Sequence, residues 1–384
     1  MNALPPRDYD ADLSSDRVSA RISPLPDAET LRVRRVHRAI ADLRRGTPVI
    51  LNGAAPLIVL GAETAGAAGL EDIAALAAGP ACLLLASGRA ETVTGVSTAV
   101  VAVATPEGLL APAFLRALAD PTAEQMLGMH PKSAPVPVLA DAAILLAKLA
   151  RLLPAAVVAP IAALDAARLR DLLVVEAGDV WAYPAIAATR LVRVAEASVP
   201  LEDATDARII AFRAPDAGIE HLAILVGRPE ASEAPLVRLH SECFTGDLLG
   251  SLRCDCGAQL RGAIARMAAD GAGVLVYLAQ EGRGIGLANK LRAYTMQDRG
   301  LDTIDANRAL GWGADERNFM VAATMLEELG IPSIRLLTNN PDKVAAMTSC
   351  GIRVQTREEH AFAPNGVNNH YLDTKMRRFG HLLG

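Results

Sequence analysis

The sequence predicts an α/β (α+β) protein made of two domains, and two observations lead to this prediction. The chain has 384 residues, whereas single hydrophobic cores stop growing at about 250–300 residues. Strand-like and helix-like segments alternate along it, which is typical of α/β and α+β folds. The polar stretch 196–208 separates two patterned regions and indicates a domain boundary near 190–205. We therefore predict a flexible arm over residues 1–30, a first domain over 31–195 and a second domain over 200–384.

The first domain contains short apolar runs typical of buried strands and segments with apolar residues three and four apart, typical of helices. Asn52 and Gly53 form a predicted turn between two strands, and Pro154 is expected to end the last helix. The predicted helices cover residues 31–45, 68–78, 111–118 and 141–153. The predicted strands cover residues 48–51, 57–60, 81–86 and 156–161.

The second domain shows the same two patterns in alternation. Its predicted strands cover residues 208–212, 221–226, 236–240, 273–278 and 333–337. Its predicted helices cover residues 258–269, 287–297 and 318–329.

Composition indicates a well-buried globular protein, because 51% of the residues are apolar and only 21% are charged. The net charge of −5 gives no reason to expect nucleic-acid or membrane-surface binding, so a polyanionic substrate would need a local basic cluster. Residues 1–30 lack the apolar stretch of a signal peptide. Residues 142–164 are interrupted by Lys148, Arg151 and two prolines, which is incompatible with a bilayer span. We expect a cytoplasmic protein that binds neither nucleic acid nor membrane.

Three of the five cysteines, Cys243, Cys254 and Cys256, lie within fourteen residues. Thiolates bind zinc strongly, and three protein ligands leave a fourth tetrahedral position for water. The spacing alone leaves a catalytic zinc site and a structural site equally open. A structural site would be closed by a fourth ligand such as His240. Buried free thiols are a third alternative.

Five motifs occur in the second domain in a fixed order, and together they resemble GTP cyclohydrolase II. The motifs are RLHSECFTGD with LRCDCG at 238–257, QEGRGIGL at 280–287, LGWGADER at 310–317, LLTNNP at 336–341 and NHYLDTK at 369–375. The resemblance covers about residues 200–384, and it implies the cyclohydrolase fold for that domain.

The resemblance implies that the chain hydrolyses GTP to 2,5-diamino-6-ribosylamino-4(3H)-pyrimidinone 5′-phosphate, formate and pyrophosphate. This is the first committed step of riboflavin biosynthesis. One zinc ion (Zn2+) per subunit would be bound by Cys243, Cys254 and Cys256. Zinc lowers the pKa of bound water to about 7, and the hydroxide would attack carbon 8 of guanine. The family also implies Mg2+ on the triphosphate and a homodimer.

The same resemblance assigns roles to individual residues. Asp315 would accept a proton, Tyr294 would position water, and Arg317 would attack the α-phosphorus or stabilise its transition-state charge. The second role for Arg317 needs no deprotonated arginine, which hardly ever occurs. Glu281 would accept hydrogen bonds from guanine N1 and the 2-amino group, whereas Arg283 and Lys343 would screen the phosphates. The other implied substrate-binding residues are Arg238, His240, Ser241, Glu242, Gln259, Gly282, Thr303 and Thr338.

The first domain resembles 3,4-dihydroxy-2-butanone 4-phosphate synthase. The resemblance lies in ADLRRGTPV at 41–49, TGVS at 94–97, RALADP at 116–121 and the segment 142–161. The acidic loop of that family is replaced by LNGAAPL at 51–57, and its metal-binding Gly-His-Thr-Glu run is replaced by VLAD at 138–141. Because hard divalent cations need oxygen ligands, we expect this domain to be inactive and to serve packing, dimerisation or regulation.

Two other functions remain open at this stage. One is a paralogue that stops at the formamidopyrimidine or serves another purine-derived pathway, and the presence of Tyr294 weighs against the early stop. The other is a non-catalytic GTP-binding regulatory protein with a structural zinc. Asp315 and Arg317, together with the three cysteines, weigh against that reading.

Overall fold

Two mixed β-sheets, one from each half of the chain, organise the fold in this computed structural model. The residues that the structure describes are 26–96, 100–105, 111–123, 131–215, 218–368, 374, 376–378 and 380. Within them, each sheet contains seven strands. The arm predicted over residues 1–30 lies outside the described residues up to residue 25, and the first helix begins at Ala28.

The first half alternates helices and strands up to residue 189. Its elements are α1 (Ala28–Arg45), β1 (Val49–Asn52), β2 (Leu57–Gly61), α2 (Ala67–Leu76), β3 (Cys82–Leu85), α3 (Ser87–Thr94), β4 (Val101–Ala104), α4 (Pro112–Ala119), β5 (Ser133–Ala134), α5 (Ala140–Leu149), β6 (Ala155–Pro160), α6 (Leu164–Leu169), β7 (Val174–Glu176) and α7 (Ala177–Thr189).

The first sheet has the strand order β5-β4-β3-β6-β2-β1-β7. Its β1–β7 pair is parallel, and the other pairs are antiparallel. Both faces of the sheet are buried. In β2, Ile58 and Leu60 join one apolar cluster, while Leu57 and Val59 join the cluster on the opposite face. Strands covered on both faces form continuous apolar runs, which is the pattern that predicted them.

The second half begins with an exposed strand. Its elements are β8 (Val192–Ser198), β9 (Arg208–Arg213), β10 (Glu220–Gly227), β11 (Leu236–Ser241), α8 (Cys256–Asp270), β12 (Ala272–Leu278), α9 (Leu287–Asp298), α10 (Thr303–Ala309), α11 (Met320–Glu328), β13 (Ser333–Leu337), α12 (Pro341–Ser349) and β14 (Arg353–Glu358).

The second sheet has the order β14-β13-β11-β12-β10-β9-β8. Strands β14, β13, β11 and β12 run parallel to one another, and β10, β9 and β8 extend the sheet by antiparallel pairing. Apolar clusters cover both faces of this sheet as well.

The two halves share one apolar core. Ile285, Ala293 and Trp312 of the second half belong to the same buried cluster as Ile50 and Leu85 of the first. The junction between the halves is therefore built like a domain interior and not like a polar surface contact.

Each segment predicted as a helix or strand contains that element, and most of the ends differ by one or two residues. The largest difference is in α5, which was expected to continue to residue 153 and ends at Leu149. Arg151 has a φ of 56°, a left-handed conformation that cannot continue a right-handed helix. Strand β8 was not predicted, because all its residues are exposed and it has no apolar alternation.

None of the helices in the described part of the chain combines the length and the apolar character needed to cross a membrane.

Candidate active site

The residues singled out in the sequence surround one cavity at an edge of the second sheet. Strands β11, β12 and β13 run parallel, so their carboxyl ends reach the same edge. Cys243 follows β11, Glu281 follows β12 and Thr338 follows β13, and all three line the cavity. Open α/β sheets bind ligands at the carboxyl ends of their strands, and this sheet places its polar residues there.

The three cysteines lie together in the wall of this cavity. Their Sγ atoms are all within 4.8 Å of one another, and Cys243 Sγ is 3.8 Å from Cys254 Sγ. Hydrogen bonds from Cys254 and Cys256, together with the nearby Lys290, hold the pKa of Cys243 well below its usual value. The bond with Cys243 raises the pKa of Cys254 to about 11. The cluster thus favours one thiolate beside two thiols, a set of soft donors suited to a cation.

Gly246 allows the cysteines to approach one another. It lies in the short helical turn Phe244–Leu248, which folds back over the cluster. A β-carbon at this position would lie 2.7 Å from Cys254 Sγ and 3.0 Å from Cys243 Sγ. Any side chain larger than hydrogen would therefore displace the sulfurs.

His240 lies outside the thiol cluster. Its Nε2 is hydrogen-bonded to the Asp247 carboxylate at 3.0 and 3.1 Å, and the Tyr277 hydroxyl donates to Asp247 at 3.0 Å. In the part of the chain that the structure describes, the group that could hold a metal contains three cysteines and no histidine or carboxylate. This arrangement does not support the alternative in which His240 closes a structural site.

Glu281 is buried at the start of the loop after β12. Its Oε1 accepts hydrogen bonds from Gly282 N and Lys290 Nζ, both at 2.9 Å, and its Oε2 accepts one from Phe244 N at 2.7 Å. Gly282 and Arg283 have φ values of 62° and 63°, so the loop turns sharply after Glu281. An ionised carboxylate has about four acceptor positions, and Glu281 therefore retains capacity for a donor from a ligand.

Basic side chains supply positive charge around the cavity. They are Arg238, Arg253, Arg283, Lys290, Arg317 and Lys343. Arg238 donates to Leu337 O at 3.1 Å and also to the side chain of Gln259. Burial lowers the pKa of Arg238 to about 10. Lys343 Nζ donates to Leu239 O at 2.8 Å, so both cations are fixed against the ends of the strands.

Arg317 and Asp315 form a close ion pair. Arg317 Nε donates to the two Asp315 oxygens at 2.8 and 3.1 Å, and Nη2 makes a further bond to Oδ2. Burial by itself would raise the pKa of Asp315, but the bonds from Arg317 lower it overall. Arg317 lines the cavity, whereas Asp315 is not among the lining residues. Asp315 therefore contacts the cavity through Arg317.

One face of α9 forms a wall of the cavity. The side chains on it are Lys290, Ala293, Tyr294 and Gln297, at the three- and four-residue spacing of a helix face. The Tyr294 hydroxyl is 3.5 Å from Thr245 Oγ1, and the Arg253 guanidinium is 5.1 Å from the Tyr294 ring centroid. Burial raises the pKa of Tyr294, which keeps its hydroxyl protonated.

The structure brings all the sequence-predicted site residues except Asp315 to the cavity wall. Three further residues line the cavity and were not predicted from the sequence: Arg253, Asn307 and, most notably, Lys290. Lys290 Nζ is 3.0 Å from Cys243 Sγ and 3.1 Å from Thr245 Oγ1. Its position one helical turn before Tyr294 was a signal that could have identified it.

Two kinds of sequence comparison agree on the second half. The profile of the GTP cyclohydrolase II family matches residues 192–359. GTP cyclohydrolase-2 of Azospirillum brasilense is 47% identical over 388 aligned residues, covering 97% of this chain and 100% of that protein. GTP cyclohydrolase-2 of Actinobacillus succinogenes is 50% identical over 194 residues, which cover 50% of this chain and 89% of that protein.

Similar solved structures include a two-domain 3,4-dihydroxy-2-butanone 4-phosphate synthase from A. baumannii. It is 19% identical, with a TM-score of 0.33, and the match covers 86% of this chain and 100% of that one. A 3,4-dihydroxy-2-butanone 4-phosphate synthase of Candida albicans is 16% identical with a TM-score of 0.32, over 39% of this chain and 96% of that one.

Proposed function

The chain belongs to the GTP cyclohydrolase II family, and from this membership we propose that it hydrolyses GTP in riboflavin biosynthesis. The products would be formate, pyrophosphate and 2,5-diamino-6-ribosylamino-4(3H)-pyrimidinone 5′-phosphate. The observation that carries the proposal is the cavity in which three thiols, the Glu281 carboxylate and several basic side chains face one another. GTP offers a matching set of groups: a purine carbon open to hydrolysis, hydrogen-bond donors on the base and a polyanionic tail.

The cysteine cluster fits a zinc ion. Its three sulfurs are within 4.8 Å of one another, and Gly246 leaves the space that their approach requires. Thiolates are preferred zinc ligands, and zinc bound by three protein ligands activates water for hydrolysis. Lys290 places a positive charge against Cys243, which stabilises the thiolate form needed for binding.

Glu281 is the residue that we assign to guanine. Lys290 and two backbone N–H groups fix its carboxylate, so its orientation is set before a ligand arrives. Guanine presents donors at N1 and the 2-amino group, and adenine has none at that edge. A buried carboxylate would be left without partners by adenine, which penalises binding.

The basic side chains suit the triphosphate and its Mg2+. Guanidinium groups bind phosphate oxygens in pairs, and Arg238, Arg283, Arg317 and Lys343 all line the same cavity. His240, Ser241, Glu242, Gln259, Thr303 and Thr338 complete the proposed substrate-binding residues, and each of them lines the cavity.

We assign Arg317 to stabilising charge at the α-phosphate. Its ion pair with Asp315 holds the guanidinium in one orientation, which suits charge stabilisation better than nucleophilic attack. Tyr294 would orient the water for ring opening, because its protonated hydroxyl lies on the cavity wall near the turn that carries Cys243.

The proposal is tested by incubating the zinc-loaded protein with GTP and Mg2+ and identifying the products by mass spectrometry. We expect formate and pyrophosphate in equal amounts and a pyrimidine product without the formyl carbon. A product that retains this carbon would identify a paralogue that stops at the formamidopyrimidine. GTP binding without turnover by zinc-containing protein would identify a regulatory role.

For the first half, residues 31–195, we propose a dihydroxybutanone phosphate synthase-like domain without synthase activity, joined to a cyclohydrolase domain over 200–384. The turn between β1 and β2 has no carboxylate, and the start of α5 keeps only Asp141 in place of the Gly-His-Thr-Glu run. We further propose a homodimer in the cytoplasm with one zinc ion per subunit, as membership of the family suggests.

A further inference from the structure

A turn of the first half binds residues of the second half that flank the loop carrying Glu281. This turn follows α5 and contains Arg151, whose φ of 56° is uncommon for a residue with a side chain. Arg151 Nη2 donates to Ala279 O at 2.6 Å, and the Arg151 carbonyl accepts from Asn289 Nδ2 at 3.1 Å. The turn closes the end of α5, because Leu152 N donates to Ala147 O at 3.1 Å and Arg151 N donates to Lys148 O at 2.8 Å. The second half then binds the side chain and the carbonyl of Arg151.

The carbonyl that Arg151 binds belongs to Ala279, which precedes Glu281 by two residues. The N–H of Ala279 donates to His221 Nδ1 at 3.0 Å, so both polar groups of this residue are bound. At the other end of the loop, a β-carbon on Gly286 would lie 3.3 Å from the Arg151 side chain. Arg151 therefore binds the residue just before the segment 280–286, and its side chain lies beside Gly286 at the other end. This segment carries the proposed guanine-binding carboxylate.

The last turn of α5, just before this turn, contacts the loop 313–317 through Lys148. Lys148 Nζ is 2.6 Å from Glu316 Oε1, and that oxygen also accepts from Gly313 N at 2.7 Å. The backbone N–H of Glu316 donates to Arg283 O at 3.0 Å. Glu316 lies between Asp315 and Arg317 in sequence, so Lys148 holds the loop that carries this ion pair.

The turn is itself fixed to the first half. Arg44 Nε of α1 donates to Ala150 O at 2.7 Å, and α5 is buried against the first sheet. A second contact between the halves lies nearby, where Arg292 pairs with Glu63 at 3.0 Å and Asp120 at 2.9 Å. The first half therefore presents Lys148 and Arg151 from a rigid base.

We propose that Lys148 and Arg151 are positioning residues for the cyclohydrolase site, each acting on a different loop. Arg151 fixes the loop of Glu281 and so sets the fit to guanine. Lys148 fixes Glu316 and so sets the orientation of Arg317 towards the phosphate. This inference rests on the proposed hydrolysis of GTP, and it gives the first half a role in that reaction without chemistry of its own.

The two positioning roles predict different kinetic effects. Arg151→Met should raise the KM for GTP about fivefold to tenfold and reduce the preference for GTP over ITP, which lacks the 2-amino group. Lys148→Met should lower kcat by about fivefold to tenfold and leave KM within about twofold. Misplacement of catalytic groups by about 1 Å commonly has effects of this size or larger.

The experiment measures kcat and KM with GTP and ITP, together with thermal unfolding, for the full-length wild type and each variant. Arg45→Met is the matched control. Arg45 lies in the first half, pairs with Asp42 of its own helix at 3.2 Å and is exposed, so its kinetics should equal those of the wild type. If Arg151→Met fails to fold, Arg151→Lys keeps the charge but replaces the guanidinium that binds Ala279 O by an ammonium group. It should fold and still show the raised KM.

An active wild type whose Lys148 and Arg151 variants all keep kcat, KM and the GTP-to-ITP ratio within about twofold would overturn the inference. Loss of activity only in proportion to the unfolded fraction would overturn it too, since that result indicates a purely structural contact. An inactive wild type would instead refute the proposed function on which the inference rests.

Discussion

Lys290 is a buried cation that joins the two chemical parts of the cavity. It binds Glu281 at 2.9 Å and Cys243 at 3.0 Å. Burial alone would lower the pKa of Lys290, but the bonds to Glu281 and Cys243 raise it above its usual value. A single ammonium group thus supports both the carboxylate assigned to guanine and one proposed zinc ligand.

Loss of one sulfur should remove the metal. Cys254→Ser replaces a sulfur ligand by a hydroxyl, a much weaker zinc ligand, and leaves two cysteines. We expect zinc content to fall from about one ion per chain towards zero, with loss of GTP turnover, as measured by elemental analysis and formate release. Cys350→Ser, at a cysteine outside the cluster, should keep both. Full metal content in Cys254→Ser would contradict the site.

Removal of the Tyr294 hydroxyl should affect chemistry more than binding. Tyr294→Phe keeps the ring against Arg253 and loses the group proposed to orient water. Formate release should slow by about a hundredfold, the lower end of typical proton-transfer contributions, while KM for GTP changes by less than about threefold. Tyr183→Phe, in the first half, is the control. Equal rates of formate release in Tyr294→Phe and wild type would exclude the role.

The motifs located the residues on the cavity wall, because they follow the ends of parallel strands and reach one edge of the sheet. Lys290 lies outside these motifs, and a lone lysine on a helix is usually solvent-facing. Its spacing from Tyr294 was the one signal for it. The ion pair of Asp315 with Arg317 was also not predictable from spacing, because neighbouring acidic and basic residues commonly both face solvent.

At the scale of elements, the turn Phe244–Leu248 folds the chain back so that Cys243 lies beside Cys254 and Cys256. Gly246→Ala would place a methyl group against Cys254 and Cys243. We expect zinc affinity to fall by about tenfold to a hundredfold, the size of effect seen when groups that orient metal ligands are lost. Competition with a zinc chelator measures this. Gly178→Ala, where a β-carbon meets no atom within 4 Å, should leave zinc affinity unchanged.

Most of the predicted elements have a clear apolar pattern, although the buried strand β4 was missed despite having one. Strand β8 is exposed along its length, and β14 has no buried residue, so neither shows the alternation of a half-buried strand. Helix α5 ends before Pro154 because of the conformation of Arg151. That conformation belongs to a hydrogen-bonded helix end, in which Leu152 N donates to Ala147 O. Glycine is the usual residue at such a position, and an arginine there gives no signal in the sequence.

At the scale of the whole molecule, the first half should show no activity on the substrate of the synthases it resembles. Purified protein with Mg2+ should not convert ribulose 5-phosphate, because the oxygen ligands for a divalent cation are missing from its sequence. A coupled assay for the dihydroxybutanone phosphate product measures this, with an active synthase as positive control. Magnesium-dependent product formation would show the assignment to be wrong.

Acid should destabilise the fold through His221. Burial lowers the pKa of His221 to about 4 from 6.5, and its Nδ1 accepts from Ala279 N. The folded pKa is depressed, so the contribution of His221 is present above pH 6.5 and is lost as the pH falls towards 4. The loss amounts to about 2–3 kcal/mol.

His221→Asn keeps an acceptor that does not titrate. Denaturant unfolding at pH 7 and pH 4.5 should therefore show a smaller loss of stability in this variant than in the wild type. An equal loss in both proteins would contradict the role given to His221.

The core common to the two halves limits how such a chain could lose its first half in evolution. Ile285 and Trp312 are 2% and 4% exposed because the first half covers them. A shortened descendant without that half would present this surface to water, which favours aggregation. If the first half has no reaction of its own, as we propose, it would be kept because it covers this surface, and its loss would first require polar substitutions on the catalytic half.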